Sequence, residues 1–520
     1  MTGKDIDFIQ LPLDLVDYWS LIPILCLVSL GLILLVADLL LKQENRSYLG
    51  PLAGNGLIVC CILTWLSRHH GGNGLMMGSL DHNRFTVGLT LLLMVTGMLT
   101  FFICPGYMAS GGMPRAPFYS LAIFSIVGGV VMIQAADLLT LFLGLETLSL
   151  CAYLMVGLQS QDIRSPEASM KYFIIGSFAS GVFLYGIVMM YAATGSISLA
   201  AEFKSSTPGI ELLGIGLILS GFMFKIGAVP FHMWVPDVYE GAPTPVTAFL
   251  ASGVKVAIYA GLVKFLYFGA FERALYWVPF LGMVAAVTMV FGNLAALAQV
   301  SLKRLLAYSS ITHSGYLLLA VLSVHVSGEG PFGLSQAELV RVVSSGDLNT
   351  VSNFYGTQAL IFYLISYSFT TIGAFVCMSW IGRDGEHLEY IDEFRGLAYR
   401  HPTAAAMMSL FMLSLAGMPP TAGFAAKYFV FASAVQAGYL PLAVIGLLSS
   451  LVSFYYYLKI IIQMYMAAPD REFEITQVMP AHLTLIACAL AVLYLGCFPA
   501  FGLDLAHSAA LHLARSIAGL

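Results

Sequence analysis

Residues 221–260 read GFMFKIGAVPFHMWVPDVYEGAPTPVTAFLASGVKVAIYA. Lys225 lies in an apolar stretch that Gly227 and Pro230 interrupt, and Lys255 lies about ten residues from either end of the next apolar stretch. A lysine at the centre of a bilayer costs roughly 2.5–3.5 kcal/mol on insertion scales. Snorkelling to the interface would avoid that cost, but neither lysine is close to a span end. Two such lysines beside a broken helix favour an ion or proton path.

The composition is that of an integral membrane protein. Hydrophobic residues make up 59% of the chain and charged residues 10%, whereas soluble domains carry roughly 25% charged residues. The net charge of -5 and the absence of a basic block give no reason to expect a nucleic-acid partner. The acidic first residues lack the positive region of a cleavable signal peptide, so we expect none.

The cysteines indicate no metal site. There are eight, all in or at the ends of apolar stretches, and no CxxC pair occurs. Zinc and iron–sulfur ligation need clustered thiolates. The sequence therefore predicts no metal, cofactor or redox centre in this chain.

The apolar stretches predict an all-α polytopic fold, because a transmembrane helix needs about 20 apolar residues. About fourteen spans are expected, with the twelfth interrupted. They are 21–41, 52–66, 85–104, 117–134, 137–157, 171–193, 211–229, 244–267, 276–299, 302–324, 357–380, 403–436, 439–466 and 480–503.

The interrupted twelfth span resembles the seventh. A Pro–Pro pair breaks 403–436, and Lys427 follows the break. Lys427 lies 202 positions after Lys225, and Lys459 lies 204 positions after Lys255. Paired broken helices in two halves of a chain are typical of transporters built from inverted repeats, with the site at the breaks.

The sequence therefore predicts two inverted five-helix repeats, spans 4–8 and 9–13, in which helices 7 and 12 are broken. The expected segments are an N-terminal three-helix segment, the two repeats, and a last helix with its tail. Their boundaries are 1–116, 117–267, 276–466 and 467–520.

The loop charges predict an orientation. Eleven Lys and Arg residues follow odd-numbered spans, and eight lie on the other side with both termini. By the positive-inside rule, the termini face away from the cytoplasm.

Glu146 is the carboxylate expected to act with Lys225. It lies about ten residues into span 5, and Ser149 and Tyr153 share its helix face. Either it is protonated and held by a neighbouring hydroxyl, or it pairs with Lys225, the lysine closest in depth. Pairing and desolvation shift the two pKa values in opposite directions, so such a pair could switch its protonation when it separates.

The other lysines differ in their surroundings. Lys255 shares a face with Ser252 and Tyr259, a polar stripe that could hold water. Lys427 follows a break whose backbone carbonyls can be hydrated. Lys459 lies nearer a span end, where snorkelling is at least as good an explanation as function.

Two histidines are further candidates. His232 follows the break of span 7, and His313 lies within span 10. Each is either a hydrogen-bonded bundle residue or a proton carrier.

Six stretches resemble the antiporter-like membrane subunits of respiratory complex I, and they extend from span 5 to span 13. The resemblance is closest to subunit 2, the N type, in its cyanobacterial and plastid form. The stretches are LGLETLSLCAYLMVG (143–157), EASMKYFIIGSFASGVFLYG (167–186), FKIGAVPFHMWVPDVYEGAPTPVTAFLASGVKVA (224–257), KRLLAYSSITHSGY (303–316), AGMPPTAGFAAKYF (416–429) and SFYYYLKIIIQMY (453–465).

The resemblance implies a proton relay through Glu146, Lys225, Lys255 and Lys427, with His232 and His313 as possible members. A lysine at position 427 is typical of the N or L type, and the absence of a long C-terminal lateral helix favours the N type. It also implies a quinone-reducing, proton-pumping oxidoreductase, driven by ferredoxin or NAD(P)H, with plastoquinone as acceptor. Iron–sulfur clusters and quinone would then belong to partner subunits.

We expect the partners to be neighbouring antiporter-like and small hydrophobic subunits, lipids and, indirectly, the peripheral redox arm. The location expected from the resemblance is a thylakoid membrane, or otherwise a bacterial inner membrane. Two alternatives remain: a subunit of a multisubunit cation/proton antiporter, which needs more carboxylates than Glu146 and Asp137, and a membrane scaffold that does not pump.

Overall fold

The computed structural model describes residues 15–111, 115–199, 207–324, 355–383, 386–469, 473–475 and 479–517. Eighteen α-helices of eight residues or more occur within these ranges. They are α1 Leu15–Leu40, α2 Leu49–Ser67, α3 Arg84–Gly111, α4 Arg115–Gln134, α5 Leu138–Val156, α6 Arg164–Thr194, α7 Pro208–Ile226, α8 Trp234–Gly241, α9 Thr244–Ala251, α10 Gly253–Lys264, α11 Ala274–Leu297, α12 Leu302–Leu322, α13 Tyr355–Trp380, α14 Pro402–Ala416, α15 Ala422–Gln436, α16 Leu440–Met466, α17 Met479–Cys497 and α18 Pro499–Ile517.

The all-α membrane fold is confirmed. Within the described ranges, 13 helices are long and apolar enough to cross a membrane. They match the predicted spans except for the interrupted one at 403–436, which is the pair α14 and α15. The predicted short break between spans 4 and 5 is also present: α4 ends at Gln134 and α5 begins at Leu138.

Both predicted helix breaks occur at a glycine. Helix α7 ends at Gly227 (φ +72) and α14 at Gly417 (φ +87), a left-handed conformation that favours glycine. Each glycine is followed three residues later by a proline in a cis peptide bond, Pro230 and Pro420. The two breaks therefore have the same local chemistry.

Lys225 and Lys427 do not occupy equivalent places, which corrects the spacing argument. Lys225 lies two residues before Gly227, whereas Lys427 lies ten residues after Gly417. The two glycines are 190 positions apart, not 202. The inverted repeats and the segment boundaries stay predictions, and the matching feature is the break rather than the lysine.

Three further details differ from the sequence prediction. Span 8 was expected to be continuous, but Ser252 (φ -113, ψ -77) separates α9 from α10. The last span was predicted to reach residue 503, but α17 ends at Cys497 and a separate helix begins at Pro499. No strand was predicted, yet a small antiparallel sheet of order β2-β1-β3 joins β1 Ile381–Arg383, β2 Glu386–His387 and β3 Glu474–Ile475.

The centre of the bundle consists of α9 with α10, α12 and α13. Every residue in the central window of Thr244–Gly269 is buried, as are most residues of α12 and α13. Small residues let the surrounding helices approach closely. A Cβ on Gly128 of α4 would lie 2.3 Å from the backbone nitrogen of Leu148 on α5. The lysine-bearing helix α10 is therefore enclosed by protein.

Candidate functional site

Glu146 and Lys225 form an ion pair between α5 and the last turn of α7. Lys225 Nζ lies 3.7 Å from Glu146 Oε1, with side-chain exposures of 2% and 23%. The ammonium donates hydrogen bonds to Ser149 Oγ at 2.8 Å and to Tyr153 Oη at 3.0 Å. The residues predicted to share one face of α5 therefore all meet the lysine.

Ser180 of α6, which the sequence pattern does not predict as a site residue, bridges this pair. Its hydroxyl donates to Glu146 Oε1 and accepts from Lys225 Nζ at 3.2 Å. Ser180 is one of four serines in this long helix, and nothing in the sequence distinguishes it from the other three. The carboxylate and the ammonium are thus held together through a hydroxyl.

Lys255 is buried between α10, α12 and α13. Its Nζ donates to the Ser310 carbonyl at 2.6 Å and to Ser314 Oγ at 2.9 Å, and lies 5.3 Å from the Tyr367 ring centroid. No carboxylate of the described residues lies within ion-pair distance of it. The lysine is held by neutral oxygens and an aromatic face.

Of the two polar residues predicted to share a face with Lys255, only Tyr259 contacts the helix that Lys255 contacts. Tyr259 donates to the Ser314 carbonyl at 2.9 Å, so it faces the same helix α12. The Ser252 hydroxyl instead donates to the Ala248 carbonyl of its own chain segment at 2.6 Å.

Ser314 connects Lys255 to the break beside Lys225. Its hydroxyl donates to the Ile226 carbonyl at 2.8 Å and also lies 3.0 Å from the Ser310 carbonyl. Ile226 is the last residue of α7, directly after Lys225. A change at the break would therefore reach the oxygen that accepts from Lys255.

Lys427 lies beside the break between α14 and α15. Its Nζ donates to the carbonyls of Leu415 and Ala416, both at 2.9 Å, and to Ser450 Oγ at 2.9 Å. Two carbonyls freed by the break thus accept hydrogen bonds from the lysine. A helix C-terminus favours a cation. A cavity of about 520 Å³ adjoins this lysine.

His313 lies between the second and third lysines. Its Nδ1 is 2.6 Å from the Tyr363 hydroxyl, and its ring packs against Tyr367 and Tyr316. Tyr367 faces Lys255, and Tyr316 faces Lys427 with its ring centroid 5.3 Å from the ammonium nitrogen. The structure therefore places this histidine among the predicted residues.

A small cavity with several polar residues in its lining adjoins His313. Its volume is about 10 Å³, and Ser366 and Ser414 also line it. Ser366 Oγ has no hydrogen-bond partner among the described residues. A water needs about 10–15 Å³ and two or more polar partners, so the site has the size and chemistry for one water.

His232 and Lys459 do not take part in the contacts that connect Lys225, Lys255 and Lys427. His232 is half-buried with its ring edge on Phe291, and its Nδ1 lacks a hydrogen-bond partner among the described residues. Lys459 is half-buried near the end of α16, as snorkelling would require. The contacts of these two residues give neither one a place between the other lysines.

The carboxylates after the first break pair elsewhere. Arg304 binds Asp237 at 3.0 Å and Glu240 at 2.9 Å, and Lys171 lies 3.2 Å from Asp237. These groups end the bundle on the side where α9 begins. They leave Glu146 as the carboxylate in contact with a predicted relay lysine.

At the other end of the bundle lie two ion pairs that the sequence pattern does not predict. Lys264 Nζ lies 2.7 Å from Asp81 Oδ2, and Arg273 binds Glu211 through Nε at 2.9 Å and an Nη at 2.8 Å. Lys264 lies near the end of the predicted span 8. In the structure it is 2% exposed.

Within the described ranges, no group of three or more His, Cys, Asp or Glu residues is arranged to hold a metal ion. Four of the eight cysteines are buried, and all eight are free.

The chain is similar to known membrane proteins over nearly its whole length. The family described as NADH:quinone oxidoreductase/Mrp antiporter, TM, matches residues 135–330 and 348–453. NADH-quinone oxidoreductase subunit N of Trichlorobacter lovleyi is 35% identical over 94% of this chain and 96% of its own length.

Two solved structures share the fold. A chain of respiratory complex I from Thermus thermophilus with bound aureothin superposes with a TM-score of 0.74 and 31% identity, over 93% of this chain and 98% of that one. A chain of the Mrp complex from Dietzia sp. has a TM-score of 0.79 at 18% identity, over 98% of this chain and 99% of that one. The second likeness concerns the fold alone.

Proposed function

Because the chain belongs to the family of antiporter-like membrane subunits that NADH-quinone oxidoreductase and Mrp antiporters share, we propose that Glu146, Lys225, Lys255 and Lys427 carry protons across the membrane. His313 is proposed as a further carrier between the last two lysines. His232 is left out of the relay, since its contacts lie elsewhere.

One observation carries this proposal: three enclosed lysines are joined by short polar or aromatic contacts. Ser314 links the break beside Lys225 to Lys255. Tyr367, His313 and Tyr316 then lie between Lys255 and Lys427. Charged lysines in a membrane interior are costly, and a purely structural role would be served as well by apolar side chains.

The Glu146–Lys225 pair is proposed to gate the relay. While the pair is closed, the carboxylate stabilises the ammonium. When it opens, Lys225 can give its proton to water or to the next carrier and take another from the opposite side, so each transfer leaves one amine and one protonated acceptor. Moving one charge against 100 mV costs about 2.3 kcal/mol, and a pKa change of two units supplies about 2.7 kcal/mol.

The protein is a membrane subunit of an NADH-quinone oxidoreductase, a proton-translocating complex, and its partners are other membrane subunits. The iron–sulfur clusters and the quinone site are proposed to lie in those partners. The signal that opens the ion pair would then come from quinone reduction outside this chain.

We also propose which electron donor the complex uses and in which membrane it lies. The family resemblance implied ferredoxin, plastoquinone and a thylakoid, with NAD(P)H and a bacterial inner membrane as the other possibility. The relative from Trichlorobacter lovleyi is a bacterial NADH-quinone oxidoreductase subunit, which favours NADH and the inner membrane. Quinone reduction by isolated membranes, measured with NADH and with reduced ferredoxin, tests this choice.

A cation/proton antiporter subunit is the second candidate, because the fold is shared with a chain of an Mrp complex. A sodium site would need several carboxylates. Asp137 instead caps α5, accepting from the Thr140 backbone and hydroxyl at 2.7 Å each. Proton pumping that requires sodium would favour the antiporter, and pumping indifferent to sodium would favour the relay.

The proposal is tested by Lys225→Ala and Lys255→Ala, with Lys459→Ala as the matched control. Assembly is checked on native gels, electron transfer by NADH oxidation, and pumping by a fluorescent pH probe in inverted membrane vesicles. We expect assembled complexes with impaired pumping for the first two variants and normal pumping for the control. Normal pumping in all three would contradict the proposed relay.

A further inference from the structure

Another buried lysine–carboxylate pair, Lys264–Asp81, lies at the end of the bundle opposite Asp237. Lys264 ends α10, and Asp81 lies in the segment between α2 and α3. Lys264 Nζ and Asp81 Oδ2 are 2.7 Å apart, and the side chains are 2% and 12% exposed. This distance is shorter than the 3.7 Å of the Glu146–Lys225 pair.

The Asp81 carboxylate faces both the interior and the loop. One oxygen contacts Lys264, and the other accepts from the backbone N–H of Gly74 at 2.9 Å. Gly74 is exposed in the segment that joins α2 to α3. Asp81 therefore stands between an enclosed amine and the bundle surface, as a group that passes protons to solvent must.

The surroundings of Lys264 are polar. Its Nζ also contacts the Gln134 carbonyl at 3.4 Å, and Gln134 Nε2 lies 3.1 Å from His82 Nδ1. Gln134 Oε1 is fully buried and has no hydrogen-bond partner among the described residues. Asp137 is near enough to interact electrostatically with Lys264. A polar pocket with an unsatisfied oxygen suits a bound water.

The neighbouring Arg273–Glu211 pair has different chemistry. It lies at the same end of the bundle, because Glu211 is in the first turn of α7 and Arg273 follows α10. Its contacts are bidentate. Arginine keeps its proton in proteins, whereas a buried lysine can lose it. Of these two pairs, only Lys264–Asp81 can exchange a proton.

We propose that Lys264 and Asp81 form the site where this chain exchanges protons with the solution on the side of the α2–α3 loop. In one transfer the Lys264 ammonium gives its proton to the Asp81 carboxylate, which leaves an amine and a carboxylic acid. The acid gives the proton to water at the loop, and the amine takes one from the interior. The steps run backwards for the opposite direction.

This inference rests on the proposed function and adds a terminal site to it. Lys264 follows Lys255 by nine residues, which is about 13–14 Å along the helix. The backbone N–H of its partner Asp81 donates to the Gln134 carbonyl at 2.7 Å, and Gln134 lies three residues before Asp137, the cap of the helix that carries Glu146. Internal water would have to bridge the distance to the central lysines. The loop charges predict that this side faces away from the cytoplasm.

The deciding variant is Lys264→Arg, with Arg273→Lys as the matched control. An arginine at 264 keeps the charge and the ion pair but does not release a proton. In assembled complexes in inverted vesicles, we expect the protons pumped per NADH oxidised to fall by the same fraction as in Lys255→Ala. The Arg273→Lys variant should keep the wild-type ratio. A wild-type ratio in Lys264→Arg would show that the pair is only a structural tie.

A second variant covers failure of the first to assemble. Asp81→Asn removes the proton acceptor while keeping the side-chain shape, and the same loss of pumping is expected. A wild-type ratio there, or failure of both variants to assemble, would overturn the inference. Lys255→Ala separates the two proposals: normal pumping in that variant refutes the central relay, whatever Lys264→Arg does.

Discussion

Replacing Glu146 with glutamine should stop pumping by this subunit without preventing its assembly. Coulomb's law with an effective dielectric constant of about 20 gives roughly 4.5 kcal/mol of attraction for the 3.7 Å separation between Glu146 and Lys225. The cost of removing both groups from water opposes much of this. Three hydroxyls still accept from Lys225 in the variant, so the lysine keeps hydrogen-bond partners.

The aspartate variant is the graded control. Asp at position 146 withdraws the carboxylate by about one bond, roughly 1.5 Å, and the same calculation then gives roughly 3.2 kcal/mol. Protons pumped per NADH oxidised should therefore fall in the order wild type, Glu146→Asp, Glu146→Gln. Native gels and NADH oxidation rates establish assembly and turnover. An assembled Glu146→Gln complex with a wild-type pumping ratio would refute the gating role of the pair.

Three other outcomes are expected. Ser180→Ala removes the hydroxyl that bridges the ion pair, a bond to a charged group worth about 1.5–3 kcal/mol, so pumping should fall but less than in Glu146→Gln; an equal or larger loss would argue against a bridging role. Ser314→Ala removes an acceptor of Lys255 and should lower pumping while the thermal stability of the complex changes little; unchanged pumping would remove this link. Burial lowers the pKa of His82. Below about pH 6.5 the unfolded chain therefore binds more protons than the folded chain, and acid destabilises the fold. The melting temperature should drop from pH 7 to pH 5, and it should depend less on pH in the His82→Asn variant.

The helix breaks could be predicted because their causes are local. Glycine followed by proline interrupts the apolar stretches at Gly227 and Gly417, and both breaks are present. The one-face arrangement of Glu146, Ser149 and Tyr153 is also local, since it follows from helical periodicity. These residues meet Lys225 as expected.

Other features depend on tertiary contacts, which the local sequence pattern does not reveal. The interruption at Ser252 is marked only by the neighbouring Gly253, and an isolated glycine in an apolar stretch is tolerated within a helix, so it predicts no break by itself. The importance of Lys264 was missed because its partner Asp81 lies 183 positions earlier, in a loop. The nearly equal spacing of the lysines also suggested, wrongly, that Lys225 and Lys427 occupy equivalent positions. Lys225 precedes its helix break, whereas Lys427 follows the other helix break. The spacing of two lysines along the chain does not determine on which side of its helix break each one lies.

The most direct test of the account is the pumping ratio of Lys255→Arg beside that of Lys255→Ala. Arginine retains the positive charge at the centre of the bundle but does not give up its proton. If protons pass through Lys255, both variants should assemble, oxidise NADH and pump with the same reduced ratio. A wild-type ratio in Lys255→Arg would mean that only the charge matters there, and that protons cross this protein without passing through Lys255.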